Sequence, residues 1–495
     1  MVHAKETSGG LQWRLQRSNE SSELLVPESG FFHRAWLGFL DLLLKFTSKV
    51  RNFFKKAWAV GVDDPKKFIH CLKVGMALTV VSLFYYMRPL YDGVGGNAMW
   101  AVMTVVVVFE YSVGASLSKC VNRITGTVIA GSLAIGVHWV ANQSGEITKP
   151  VILGASVFIL ASAATFSRFI PTIKARFDYG AMIFILTFSL ISVSGFRVEK
   201  LLEMAQQRAS TIAIGTSICM LISMLVCPIW AGEELHLIIT RNLEKLANSL
   251  DGCVTEYFKE TNTDGKVDNE EKDKKTLLGY KCVLNSKGAE DSFANFARWE
   301  PAHGNFYFGH PWKQYLKIGA MMRNCACCME ALNGCITAEV QAPDFVKKLL
   351  SDACMILSSN SSVVLKELAI TMTTMRRSAN TELAVGDMKD AVEELQDSLK
   401  SLPSLLRCPS QLPEAPEGKK KELISTPTSF TLMEVVPLVT VASLLIEIVA
   451  KIEGVVEAVN DLEKLAEFKP EIEEPMNKPT SDYQEQQTMK VLQQV

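Results

Sequence analysis

Residues 209–230 read ASTIAIGTSICMLISMLVCPIW, a run without one charged side chain. Residues 231–258 follow as AGEELHLIITRNLEKLANSLDGCVTEYF, where charge returns every few positions. The first run has the length, about 20 apolar residues, that carries a helix across a bilayer. In the second, Leu235, Ile238, Ile239, Leu243, Leu246 and Leu250 recur at helical spacing on an otherwise polar helix. The junction therefore marks a change of solvent, from lipid to water. Upstream, 69–87, 98–117, 124–141, 151–169 and 179–196 are equally apolar and poor in charge, which makes six spans. Gly126, Gly131 and Gly136, and Ala155, Ala161 and Ala163, are small residues of the kind that let membrane helices approach closely. The expected fold is all-α: a six-helix transmembrane domain followed by a cytosolic helical-bundle domain.

The boundaries follow from composition. Residues 1–30 read as a disordered N-terminal tail without a cleavable signal. Residues 31–67 form a basic amphipathic region: Phe32, Trp36, Phe39, Leu43 and Phe46 share a helical period, with Lys45, Lys49, Arg51, Lys55 and Lys56 among them. Such a helix suits either an anionic membrane surface or a face of the soluble domain. Residues 68–231 are the six-span domain and 232–400 the cytosolic helical domain. Within the latter, 261–275 is a charged loop, with helices expected near 276–298, 312–340, 343–377 and 382–402. Residues 401–428, with Pro403, Pro409, Pro413, Pro416 and Pro427, read as a linker. Residues 429–468 form a last helix of the cytosolic domain, and 469–495 a disordered tail. Lys and Arg gather before the first span and between spans two and three and spans four and five; Arg88, Lys149, Arg197, Lys200 and Arg208 lie on the other side. That bias, with an even number of spans, puts both termini in the cytosol.

Net charge is −2, so no strong field invites nucleic acid. The 12 cysteines include the group Cys325, Cys327, Cys328 and Cys335. Without paired metal knuckles, they read as reduced thiols of a helical core. No Walker loop, dinucleotide turn, nucleophile elbow or His-Glu zinc motif occurs, so no enzyme activity and no cofactor are expected. The informative residues are the cations in or beside the spans: Lys73, Arg88, Lys119, Arg123, Arg168, Lys174, Arg176, Arg197 and Arg208. A cation at mid-bilayer costs about 2.5–3.5 kcal/mol, so it lines water or finds a partner. A basic, acid-poor wall attracts anions. The same side chains lie near span ends, where Lys and Arg also snorkel to the interface; both readings stand. Arg123 is distinguished by Asn122 beside it and Gly126 after it. Glu110, the one acid deep in a span, serves either as an intramembrane ion-pair partner or as a gating carboxylate. Asp92, Glu199 and Glu203 fall in the non-cytosolic loops, as a solvated face or as oxygen ligands for a hard multivalent cation.

Several blocks are more specific. Asn97-Ala-Met-Trp-Ala-Val-Met-Thr-Val-Val-Val-Val-Phe-Glu110, Arg176-Phe-Asp-Tyr-Gly180 with Ile183-Phe-Ile-Leu-Thr-Phe188, Cys227-Pro-Ile-Trp-Ala-Gly-Glu-Glu-Leu-His236 and Trp299-Glu300-Pro301 resemble, in order, motifs of the plant aluminium-activated malate transporter family. The likeness runs from about Gly61 to Phe468. It implies a dimeric anion channel that passes malate and, in many members, chloride or nitrate. It implies pore roles at Lys73, Arg123, Arg168, Lys174, Arg197 and Arg208, and external aluminium sensing at Asp92, Glu199 and Glu203. A coupled organic-anion carrier and a membrane-anchored interaction protein are the alternatives. Family members occupy the plasma membrane or the vacuolar membrane; Glu20-Ser-Ser-Glu-Leu24-Leu25 fits an acidic dileucine sorting pattern.

Overall fold

The computed structural model describes residues 31–87, 98–194, 201–259, 276–407 and 432–470. The tails 1–30 and 471–495, the sorting pattern at 20–25, the loop 261–275 and the linker beyond Arg407 lie outside the described residues. Two units divide the chain, one ending at Ile69 and the other beginning at His70. The first contains the 33-residue helix α1 (Phe31–Asp63). One residue, Asp64, separates it from α2 (Pro65–Tyr86).

The membrane helices of the second unit continue from α2 with α3 (Ala98–Val108), α4 (Val113–Gln143), α5 (Lys149–Ser167), α6 (Pro171–Ser194) and α7 (Leu201–Leu225). α4 packs along α6 and α7, α3 packs on α7, and α5 on α6. Ala77, Val81, Val105 and Cys219 fill one apolar cluster; Ala130, Ala134, Phe188 and Ile191 fill another. The expected second span, 98–117, does not exist as one helix. α3 ends at Val108, and residues 113–117 already belong to α4. Ser112 causes the break: its extended backbone and its hydroxyl, which accepts the Ala115 N–H, form the N-cap of a new helix. Arg123 therefore lies about 15 Å inside α4 at 1.5 Å per residue, not near a helix end.

After a turn at 226–230 come α8 (Ala231–Phe258), α9 (Tyr280–Leu284), α10 (Lys287–Ala297), α11 (Trp312–Ile336), α12 (Asp344–Lys347), α13 (Ser351–Thr374), α14 (Ala379–Arg407) and α15 (Leu432–Leu465). α13 lies against α8 and α14, and α11 against α15. One continuous core joins them, through Leu235, Leu243, Ile318, Met322, Leu365 and Ile448. The two-residue strands β1 (Arg376–Arg377) and β2 (Lys469–Pro470) pair in parallel. α14 runs to Arg407 through Pro403, so the linker expected from 401 begins later. Among the described residues, seven helices are apolar and long enough to cross a membrane: α2, α4, α5, α6, α7, α13 and α15. α13 and α15 are nearly half buried within the bundle, against a third or less for the others. Their buried faces, with Leu365 and Leu368 on α13 and Ile448 and Val455 on α15, join the bundle core. The fold is all-α, with the less buried apolar helices α2 and α4 to α7 and the short apolar α3 ahead of a C-terminal helical bundle.

Candidate functional site

Between α3, α4, α6 and α7 lies a cavity lined by Trp100, Arg123, Thr127, Ile183, Leu186, Thr187, Arg208, Thr211 and Ile212. Two of these side chains are cations and none is an acid. Arg123 is 8% exposed; its Nη1 donates to the Tyr179 hydroxyl at 3.0 Å. The Arg123 Nε and the Thr127 hydroxyl are buried and have no hydrogen-bond partner. Arg208 lies over the Trp100 ring, its guanidinium carbon 4.2 Å from the ring centre, a cation–π contact. Apolar walls, two guanidinium groups and unsatisfied buried polar groups suit an anion, whose oxygens would accept the orphaned N–H and O–H. The cavity volume is about 20 Å³, room for a water molecule and too small for a dicarboxylate. In this conformation the cavity does not admit such an anion.

The other sequence-selected residues lie elsewhere. Lys73 is buried, and its Nζ donates to the Cys227 carbonyl at 2.6 Å, just past the C-terminus of α7. There its charge meets the negative end of the helix dipole. Arg168 forms a two-pronged pair with Asp178, Nε–Oδ1 2.6 Å and Nη2–Oδ2 3.2 Å. Lys174 is exposed. Glu110 forms an ion pair with Lys119, whose Nζ also sits 5.5 Å from the centre of the Tyr179 ring. Arg197, Asp92 and Glu199 lie outside the described residues, as does the side chain of Glu203. Arg123 and Arg208 are thus the two selected cations that share one cavity. Trp100, Thr127 and Tyr179 were not singled out; Trp100 and Tyr179 do stand inside the quoted motif blocks.

Trp299-Glu300-Pro301 occupies the junction between the membrane helices and the bundle. α10 ends just before it, and Pro301, which has no N–H, stops the helix. Glu300 is 4% exposed. Its carboxylate accepts the N–H of Gly114 at 3.0 Å, of Ala231 at 2.6 Å and of Gly232 at 3.0 Å. These belong to the first turns of α4 and α8, so one carboxylate caps two helices whose positive ends converge on it. Trp230, at the N-cap of α8, has no side-chain oxygen to do this itself. Both glycines are required by close approach. A Cβ on Gly114 would lie 2.4 Å from the Phe296 carbonyl oxygen, and one on Gly232 2.4 Å from the Trp312 ring. Burial pushes the Glu300 carboxyl above its ordinary value, while the N–H groups of Ala231 and Gly232 oppose the rise. His303 stacks on Trp230 with ring centres 4.0 Å apart, and its Nε2 lies 3.8 Å from Glu300. Asn295 ties α10 to the start of α6, its Nδ2 donating to the Ala175 carbonyl at 2.6 Å. Behind this junction, the Tyr315 hydroxyl bridges His236 Nδ1 at 3.1 Å and His310 Nε2 at 3.3 Å. Burial lowers both histidines to about 4.

The chain matches a family model described as Aluminium activated malate transporter, over residues 58–417 and 407–463. It is 55% identical over 492 residues to aluminum-activated malate transporter 10 of Arabidopsis thaliana, covering 97% of this chain and 98% of that protein. It is 44% identical to aluminum-activated malate transporter 2 of the same plant, over 85% of this chain and 79% of that one. Against aluminum-activated malate transporter 1 of Triticum aestivum the identity is 39%, over 87% and 89%.

Proposed function

The chain belongs to the aluminium-activated malate transporter family, and from that premise we propose that it is a channel passing malate through the constriction between Arg123 and Arg208. It is a multi-pass integral membrane transport protein, not an enzyme. The observation that carries the channel reading is the cavity with two arginines, no acid and orphaned buried polar groups. A guanidinium fork matches carboxylate geometry, and the absent acid removes competition for the anion. Passage of a dicarboxylate needs the cavity to widen, so conduction is gated. Each charge crossing the field exchanges about 2.3 kcal/mol per 100 mV, which drives net flux without coupling to a second ion. Chloride and nitrate, being smaller, take the same route. Two copies of the chain complete the pathway in the plasma or vacuolar membrane, with both termini cytosolic. Asp92, Glu199 and Glu203 supply oxygen ligands through which external aluminium modulates the current.

Patch-clamp recording in a heterologous cell tests this, with malate and chloride exchanged on each side. Arg123→Glu is expected to lower malate current at least tenfold while surface labelling shows normal delivery to the membrane. Full malate current in that variant overturns the pore assignment. Current that requires an ion gradient on the opposite side favours a coupled carrier. Neutralising Asp92, Glu199 and Glu203 together abolishes any response to aluminium; an unaltered response removes that site.

A further inference from the structure

α1 presents a surface that the channel reading does not use. At 100° per residue, Leu42, Val60, Phe53, Phe46, Ala57, Val50, Leu43, Phe54, Leu40 and Trp58 follow one another around the helix. They form an apolar arc of about 160°, interrupted by Thr47 and Gly61. Lys55, Ser48, Asn52, Lys45 and Lys56 lie on the opposite arc together with Ala59; Lys49 stands at one margin and Arg51 at the other, with Leu44 and Val62 just beyond it. The apolar arc is uncovered: Phe46, Phe53, Phe54 and Trp58 are 62–78% exposed. A stripe that packs on one neighbouring element needs about 100°, so this face is too wide for a single helix partner. We propose that α1 lies in the plane of the membrane and binds an anionic phospholipid surface, its apolar arc in the acyl boundary and its lysines on the headgroups.

Three observations select lipid over a second copy of the helix. Connectivity ends α1 one residue before α2, the first span, so its C-terminal end is tethered at a bilayer entrance. Lys49 and Arg51 border the apolar arc, one at each edge; in lipid they snorkel to phosphate, whereas two facing copies would set these cations against apolar surface. Aromatic residues crowd the arc, as they do at the headgroup level of membranes. The surface charge of an anionic leaflet attracts juxtamembrane basic clusters, and an amphipathic helix adds its buried apolar area to that attraction.

Amide hydrogen exchange on the full chain in nanodiscs tests this, comparing phosphatidylcholine alone with phosphatidylcholine plus phosphatidylserine. Peptides covering 40–62 are expected to exchange about tenfold more slowly with phosphatidylserine, while peptides from α8 do not change. The combined variant Lys45→Gln, Lys49→Gln, Arg51→Gln, Lys55→Gln, Lys56→Gln returns the rate to its phosphatidylcholine value. Equal exchange in the two lipids overturns the proposal, as does a variant that keeps its full lipid response. Slow exchange persisting in detergent, with Phe53→Cys cross-linking between copies, assigns the face to a second chain instead.

Discussion

Glu300 illustrates how much one side chain can hold. Hydrogen bonds to a charged group contribute about 1.5–3 kcal/mol each, and this carboxylate accepts three. Glu300→Gln keeps the shape but puts an N–H₂ where an N–H must be accepted. It is expected to destabilise the folded chain by about 2–4 kcal/mol, read as a lower thermal midpoint in detergent and less protein in the membrane. The histidines behind it set a pH dependence. His236 and His310 are lowered to about 4 from an ordinary 6.5, so both are neutral in the fold at neutral pH. Between pH 6.5 and about 4 the unfolded chain takes up protons that the folded chain refuses, and stability falls across that window. His310→Asn removes one of these protons, so thermal midpoints followed from pH 7 to 4 should decline less steeply in that variant. The sequence marked Trp299-Glu300-Pro301 only as a motif. The partners of Glu300 lie 186, 69 and 68 residues away, and no spacing rule connects them. Arg123 was legible as an unusual cation. Its partner Tyr179, 56 residues on, was not, because an uncharged tyrosine beside Arg176 and Asp178 carries no charge signal of its own.

Helices were legible where one physical demand set the pattern. Five of the six long apolar runs appear as single helices, and α8 bears its apolar stripe on Leu235, Ile239, Leu243 and Leu246, all buried. α13 and α15 are apolar enough to span because a large bundle interior asks for the same side chains as lipid; their place beyond the change of solvent at 231 assigned both to the helical domain from the sequence, and about half of each is buried. Legibility failed at the end of α3, because Phe109 and Val113 continue the apolar run across a break made by Ser112. Small residues fix how closely elements approach. A Cβ on Gly126 would sit 2.7 Å from the Gly180 carbonyl oxygen, so α4 and α6 touch there through backbone. Gly126→Val forces them apart and is expected to cost about 1–3 kcal/mol by overpacking. The displaced Arg123 should also lower anion current per channel. Thermal midpoints and single-channel records check the two parts separately.

For the whole molecule, the burial of α13 and α15 makes a topological prediction. Cys327 is exposed on α11, and Lys389 has an exposed side chain on α14, with α13 between them. If α13 belongs to the bundle, an impermeant maleimide reaches Cys327 and the cysteine of Lys389→Cys from the same side of the membrane. Labelling from opposite sides would make α13 a span and remove it from the bundle. The first turn of α4, whose helix also carries Arg123, is held by the carboxylate that starts α8. Energy exchanged across such a shared point runs in both directions with equal size. A ligand that tightens the bundle and raises the affinity of the Arg123 cavity for an anion by some factor must itself be held more tightly, by that same factor, when the anion is bound. The anion then reports on the state of the bundle, and the bundle's ligand senses whether the cavity is occupied.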